Sequence, residues 1–124
     1  IKMAEENFEK DYLVTEDRTA KAMGSGGLDV LATPELVAMV ENACYQHLES
    51  EISKEKTTVG GFISLEHVAP SPVGATITIK ANLYERDGNK VVFSFSAYEG
   101  EKKVGKGNHE RFIVDKDQFL AKMS

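Results

Sequence analysis

The sequence predicts an α+β domain in which one long amphipathic helix precedes a run of antiparallel strands. From Pro34 to Ile52 (PELVAMVENACYQHLESEI) apolar residues recur at helical spacing, so that Leu36, Val37, Met39, Val40, Ala43, Cys44 and Leu48 share one arc. Farther on, Ile77, Ile79, Ala81 and Leu83 share one parity, as do Val91, Phe93 and Phe95, the two-residue period of strands with one buried face. Asp87-Gly88 and Gly100-Glu101 mark tight turns, and links that short join antiparallel neighbours.

The elements follow in order. Asp11 to Thr15 (DYLVT) reads as a short strand, and Thr19 to Leu28 (TAKAMGSGGL), rich in glycine and small residues, as a mobile loop. The helix opens at Thr33-Pro34-Glu35, with threonine suited to the N-cap, proline to the first helical position and an acid to the first turn. Four strands come next: Thr57 to Ala69, Ala75 to Glu85, Lys90 to Glu99 and Val104 to Val114. Ser71-Pro72-Val73-Gly74 is a further turn, and Lys116 to Lys122 closes as a short helix. A sheet of about five such strands must wrap something apolar, and the helix is the natural filling. A curved antiparallel sheet wrapped round one long central helix is the hot-dog arrangement, which commonly pairs into dimers by extending its sheet; composition alone does not choose it over other α+β folds, and its support comes from the residues below. With no repeat and no linker, residues 1–124 read as a single domain.

At 124 residues and 13.6 kDa the chain can bury one modest core. A net charge of −5 and a pI near 5.2, with no Lys/Arg cluster among aromatics, argue against nucleic acid as a partner. No apolar run nears the roughly 20 residues of a membrane span, and the segment IKMAEENFEK is charged where a signal peptide would be apolar. With Cys44 the one cysteine, no internal disulfide can form, and a cytoplasmic protein is expected. Cys44 itself sits on the apolar arc without an evident electropositive neighbour, which makes it a core residue. The sequence has no Cys/His metal spacing, no G-x-S-x-G elbow, no phosphate loop and no dinucleotide fingerprint, so neither metal nor cofactor is expected.

Glu41 is the most unusual charge. On the helix projection it falls beside the apolar arc, between Leu48 and Ile52, whereas Asn42, Gln46 and Glu49 lie opposite. Such an acid has a partner or a perturbed pKa, or else packs its stem and sends its head to water. His67 shares strand parity with Ile63 and Leu65 and so faces inward, as a satisfied core histidine or as a chemical group. A helix lying through a curved sheet can bring Glu41 and His67 together, a pair able to activate water or relay a proton near neutral pH. Thr33 lies eight positions before Glu41 (41 − 33), about 12 Å along the helix. Serving one substrate then requires that the substrate span them, that the preceding loop fold back, or that the two residues come from different subunits. Arg111 suits a substrate or a carboxylate as well as a surface ion pair, and Gly105 and Gly107 suit close packing, ligand approach or a bulge. His47, in mid-arc, reads as core or interface, and His109, on the parity of Arg111, as approaching the site or lying at the dimer surface, of which the surface is favoured.

The order and spacing of Thr33, Glu41, Gly60, His67 and Arg111, within LATPELVAMVENAC, TTVGGFISLEHVAPSPVG and GKGNHERFIV, resemble the hot-dog thioesterases typified by fluoroacetyl-CoA thioesterase. The resemblance extends over most of the chain and implies hydrolysis of an acyl-CoA thioester by a homodimer, with CoA entering only as part of the substrate. It implies that Thr33, Glu41 and His67 are catalytic and that Gly60 and Arg111 belong to the substrate site. Thioester hydrolysis needs an attacking group, stabilisation of an oxyanion and a proton for the departing thiolate. Glu41 fits the attack, as nucleophile or as base for water, and His67 the proton transfer. Thr33 fits a positioning hydrogen bond, Gly60 a close-approach backbone N–H, and Arg111 a clamp. One departure concerns the acyl group: the family type's pocket phenylalanines should fall just before Thr33, where this chain has Met23-Gly24-Ser25-Gly26-Gly27-Leu28. A glycine-rich lid favours a different or broader acyl group. Two rivals stand beside this reading: a non-catalytic acyl-CoA-binding module using the same groove, and a hot-dog hydratase, for which no Asp/His pair stands at the needed spacing.

Overall fold

Alternating side chains in the second half of the chain build the sheet, and the helical arc fills it. The computed structural model describes residues 5–124, so the first four residues of the charged IKMAEENFEK segment lie outside the described residues. Strand β1 (Glu6–Leu13) is followed by a single 3-10 turn at Glu16–Arg18 and the short helix α1 (Ala20–Met23). The long helix α2 (Thr33–Glu49) leads to β2 (Lys56–His67), β3 (Thr76–Asp87), β4 (Lys90–Glu99), β5 (Lys102–Asp115) and the terminal helix α3 (Lys116–Ala121). The sheet runs β1-β3-β4-β5-β2 and is antiparallel throughout. Gly88 and Gly100 turn the two hairpins, each with φ 61°, a conformation that a side chain would resist.

The arc of α2 is buried as the periodicity requires. Leu36, Met39, Val40, Ala43, Cys44 and Leu48 pack against the inner faces of β3 and β4, where Ile77, Ile79, Leu83, Val91, Phe93 and Ala97 are 0–1% exposed. Each of the larger side chains among these, the Leu, Ile, Val, Met and Phe residues, contributes about 1.5–3 kcal/mol by leaving water, so this seam holds the helix in the sheet. Helix and β2 run in opposite directions. Thr33 therefore meets His67, Glu41 meets Gly60, and Glu49 accepts a 2.9 Å hydrogen bond from Thr57. Among the described residues β2 pairs with β5 alone, which leaves its other side as a sheet edge.

Several boundaries differ from the sequence reading, each for a local reason. Strand β1 starts five residues before the expected Asp11, because two of its inward positions are polar and break the apolar alternation. Glu6 there meets His47 and Arg86, and Lys10 donates to Gln46. The polar side of α2 is thus clamped to β1, with Tyr12 donating a 2.7 Å bond to Asn42. His47 belongs to that clamp and not to the core: its Nε2 lies 2.8 Å from Glu6 Oε1 and its ring stacks on Phe8 at 4.0 Å. The loop expected from Thr19 to Leu28 contains a turn of helix, capped by the Thr19 hydroxyl at Ala22 N and closed by left-handed Gly24. Helix α2 is capped by the backbone of Ala32, so Thr33 is its first residue and the hydroxyl of Thr33 is released from capping.

Candidate active site

Two backbone links deliver Thr33 to the end of β2. Leu31 N bonds Ser71 O and Ala32 N bonds Arg18 O, so the start of α2 is tied to the turn after β2 and to the 3-10 turn. Thr33 Oγ1 then lies 2.8 Å from His67 Nδ1, and His67 Nε2 is buried without a hydrogen-bond partner. Burial holds the imidazole below its ordinary pKa of 6.5, so the neutral, proton-accepting form dominates at pH 7; the Ala69 carbonyl opposes this to a lesser degree without making a bond of good geometry. Beside the pair opens a cavity of about 320 Å³ lined by Ala20, Ser25, Leu31, Thr33, His67 and Ala69. Its walls mix apolar carbon with a few polar groups, the make-up of a small-molecule pocket.

Two turns along α2 a second cluster forms round Glu41. Its carboxylate is 43% exposed, with Oε2 4.0 Å from Arg111 Nη1. A Cβ on Gly60 would stand 2.9 Å from that oxygen and 3.4 Å from both Arg111 Nη1 and His109 Cε1, so only glycine lets strand and acid approach this closely. Arg111 is 6% exposed and donates to Thr58 Oγ1 at 2.8 Å and to Thr58 O at 3.0 Å. His109, expected at a surface, is 1% exposed and bonds Arg111 at 3.2 Å; its parity with Arg111 points it inward beneath Phe93. Cys44 lies within the influence of Arg111, yet burial pushes its thiol up to about 12, so it stays protonated and inert.

Within one chain the five predicted residues therefore form two groups. Thr33 and His67 make one; Glu41, Gly60 and Arg111 make the other, joined by Thr58 and His109. Their separation is about 12 Å along α2 and, for Gly60 to His67, roughly 20 Å along β2. Thr58 was legible only as a position alternating with Gly60, a signal too weak to single it out, whereas the parity of His109 with Arg111 allowed the site as well as the dimer surface. A third polar cluster, Glu6, His47 and Glu51, offers ligand atoms within 4.8 Å of one another, but Arg86 already bridges both carboxylates at 3.0 and 2.8 Å.

Residues 14–117 match the family described as fluoroacetyl-CoA-specific thioesterase. The fluoroacetyl-CoA thioesterase of Streptantibioticus cattleyicolor is 27% identical over 95% of this chain and 89% of its own length. A solved structure of fluoroacetyl-CoA thioesterase superposes with a TM-score of 0.91 at 27% identity, covering 98% of this chain and 94% of that one. A hot-dog-like protein from Thermanaerovibrio acidaminovorans, 19% identical, superposes with a TM-score of 0.86 over 95% of this chain and 87% of that one, and shares the fold.

Proposed function

The chain belongs to the fluoroacetyl-CoA-specific thioesterase family, and from that premise we propose that it hydrolyses an acyl-CoA thioester to the free acid and CoA through Thr33, Glu41 and His67. The observation that carries this reading is the 2.8 Å bond from Thr33 to His67 beside the cavity, with His67 Nε2 buried and unpartnered. A histidine so placed is free to exchange a proton with whatever fills the cavity. In the overall reaction an oxygen from water ends on the acyl carbon, the C–S bond breaks and the departing sulfur gains a proton. Glu41 drives the attack, by deprotonating water or by adding to the carbonyl to give an anhydride. Mass spectrometry of a single turnover, in which only the second route yields an acyl–Glu41 adduct, separates the two. His67 delivers the proton to sulfur, Thr33 orients the ring, and Gly60 N–H with Arg111 stabilises the negative charge.

The reading includes a cytoplasmic location and a homodimer, the latter because the two groups are far apart in one chain. Two β2 edges pairing antiparallel about an axis between Ile63 and Ser64 would set Gly60 of one protomer opposite the partner's His67 (60 + 67 = 63 + 64). Glu41 and Arg111 would then face the partner's Thr33. Support comes from Phe62 on that edge and Val68 just beyond its end, 51% and 50% exposed in the single chain. The acyl group is read from the lid: no aromatic residue stands between Thr19 and Ala32, and Ala20 with Ser25 lines the cavity, which suits acyl chains broader than fluoroacetyl.

Release of free thiol from a panel of acyl-CoAs tests the proposal, with Glu41→Gln and His67→Ala as controls. Turnover by the wild type and its loss in both variants are expected. Wild-type turnover in both variants would remove these residues from the mechanism, and tight acyl-CoA binding without hydrolysis would establish a binding module.

A further inference from the structure

His109 is the one buried histidine that the mechanism above does not use, and both of its ring nitrogens are committed. Nδ1 lies 2.7 Å from the carbonyl oxygen of Phe62, which can only accept, so Nδ1 carries a hydrogen. Nε2 lies 3.2 Å from Arg111 Nη1, which can only donate, so Nε2 presents its lone pair. The two contacts allow a single state of the ring, the neutral Nδ1–H tautomer. The sheet builds this state. Between Gly60 and Phe62 the register of β2 against β5 slips by one residue, and Gly61 takes up the slack under the ring of Phe112, where a Cβ would come within 2.3 Å of Cε1. Beyond the slip, the carbonyl of Phe62 meets His109.

The consequence falls on Arg111. Its Nε and Nη2 are held by Thr58, and its Nη1 is held by His109 on the side that faces Glu41 at 4.0 Å. Without that acceptor the buried arm nearest the carboxylate would have no fixed partner. We propose that His109 is a positioning residue that, as the neutral Nδ1–H tautomer, aims Arg111 at Glu41. The inference rests on the reading of Glu41 and Arg111 as site residues. Protonation of His109 would set an N–H against the Arg111 N–H and a cation beside a cation. The charged groups that act on the ring are Arg111 and Glu110 from its own strand and Glu41 from α2, with the Phe62 carbonyl from β2 and the Phe93 ring from β4 as its uncharged neighbours. Burial and Arg111 both work against the imidazolium.

Two measurements decide the matter. Nitrogen-15 NMR of the ring is expected to show His109 neutral at pH 7 and protonated at Nδ1 only. This spectrum needs no substrate, so it tests the bond to Arg111 even where thiol release fails and the thioesterase reading falls. In the second, His109→Gln offers Arg111 an acceptor again, whereas His109→Phe keeps the ring shape against Phe93 but offers none. His109→Phe is expected to lower kcat about 10- to 100-fold, the scale of a misaimed site, and His109→Gln to recover most of it. A residue that only fills space would give the opposite order. An Nε2–H tautomer, or a Phe variant as fast as the Gln variant, overturns the proposal.

Discussion

Thr33 Oγ1 lies 2.8 Å from His67 Nδ1, on a threonine that is exposed and does not cap its helix. The hydroxyl therefore does little for stability, and in the proposed reaction its value is in orienting the imidazole. Thr33→Val keeps the shape and removes the oxygen. Its kcat should fall by roughly 100-fold, the low end for losing one proton-transfer element, while stability changes by about 0.5 kcal/mol or less. Thr33→Ser, which restores the oxygen, should recover most of the rate. Steady-state thiol release and thermal melts of the same preparations check both halves.

Gly60 and Gly107 make opposite predictions although both crowd a neighbour. A Cβ at Gly60 meets the end of the half-exposed Glu41 side chain, which can swing away, so Gly60→Ala should fold with a loss of about 1 kcal/mol or less. Displacing Glu41 should still cut kcat/KM by at least about tenfold. A Cβ at Gly107 would sit 1.8 Å from the Ser64 carbonyl oxygen and 2.9 Å from Phe95 Cζ, and strand backbone has nowhere to go. Gly107→Ala should cost more than about 4 kcal/mol, seen as a melting point lower by roughly 15 °C or as insoluble protein. A Gly107→Ala variant that melts like wild type would show that β2 and β5 approach less closely than described.

The sheet and the helix were legible because each writes its own period into the chain. Ile77 to Leu83 and Val91 to Phe95 could face only one way, and Gly88 and Gly100 occupy turns that their neighbours announced. What escaped was set by contacts between distant segments. Glu6 and Lys10 point inward because α2 supplies His47 and Gln46 to receive them, and nothing in β1 itself reveals that. Glu41 stood out as an acid beside an apolar arc, yet the arc it borders ends at Gly60 and the buried Arg111. His109 was misplaced at a surface because strand parity gives the face of a residue and not the depth of the layer above it.

Acid should unfold this protein earlier than its carboxylates alone would. His67 and His109 both have pKa values below the ordinary 6.5 because burial disfavours their charged forms. Below pH 6.5 the unfolded chain binds protons that the folded rings refuse, so stability is fully present above that pH and falls as the pH drops towards the depressed folded values. The slope is at most about 1.4 kcal/mol per pH unit from His109. His67, only half-buried, adds less because solvent screens it. Urea midpoints measured from pH 7.5 to 5 should fall, and His109→Gln should flatten part of the decline. Constant midpoints across that range would show that the rings titrate normally in the folded protein.

The separation of Thr33 and His67 from Glu41 and Arg111 gives a test of the shared site that needs no structure of the assembly. In a dimer whose sites each take Glu41 from one protomer and His67 from its partner, Glu41→Gln and His67→Ala are each inactive as homodimers. A heterodimer of the two contains one site with both lesions and one with neither. Equal amounts, unfolded together and refolded, give half heterodimers with half their sites intact, or about a quarter of wild-type activity. Sites confined to single chains would give none, because every chain would carry one lesion. Recovery near a quarter, rising and falling with the mixing ratio as the product of the two fractions, places the carboxylate and the imidazole on different protomers; absence of recovery returns both to one chain and requires α2 and β2 to close on each other when substrate binds.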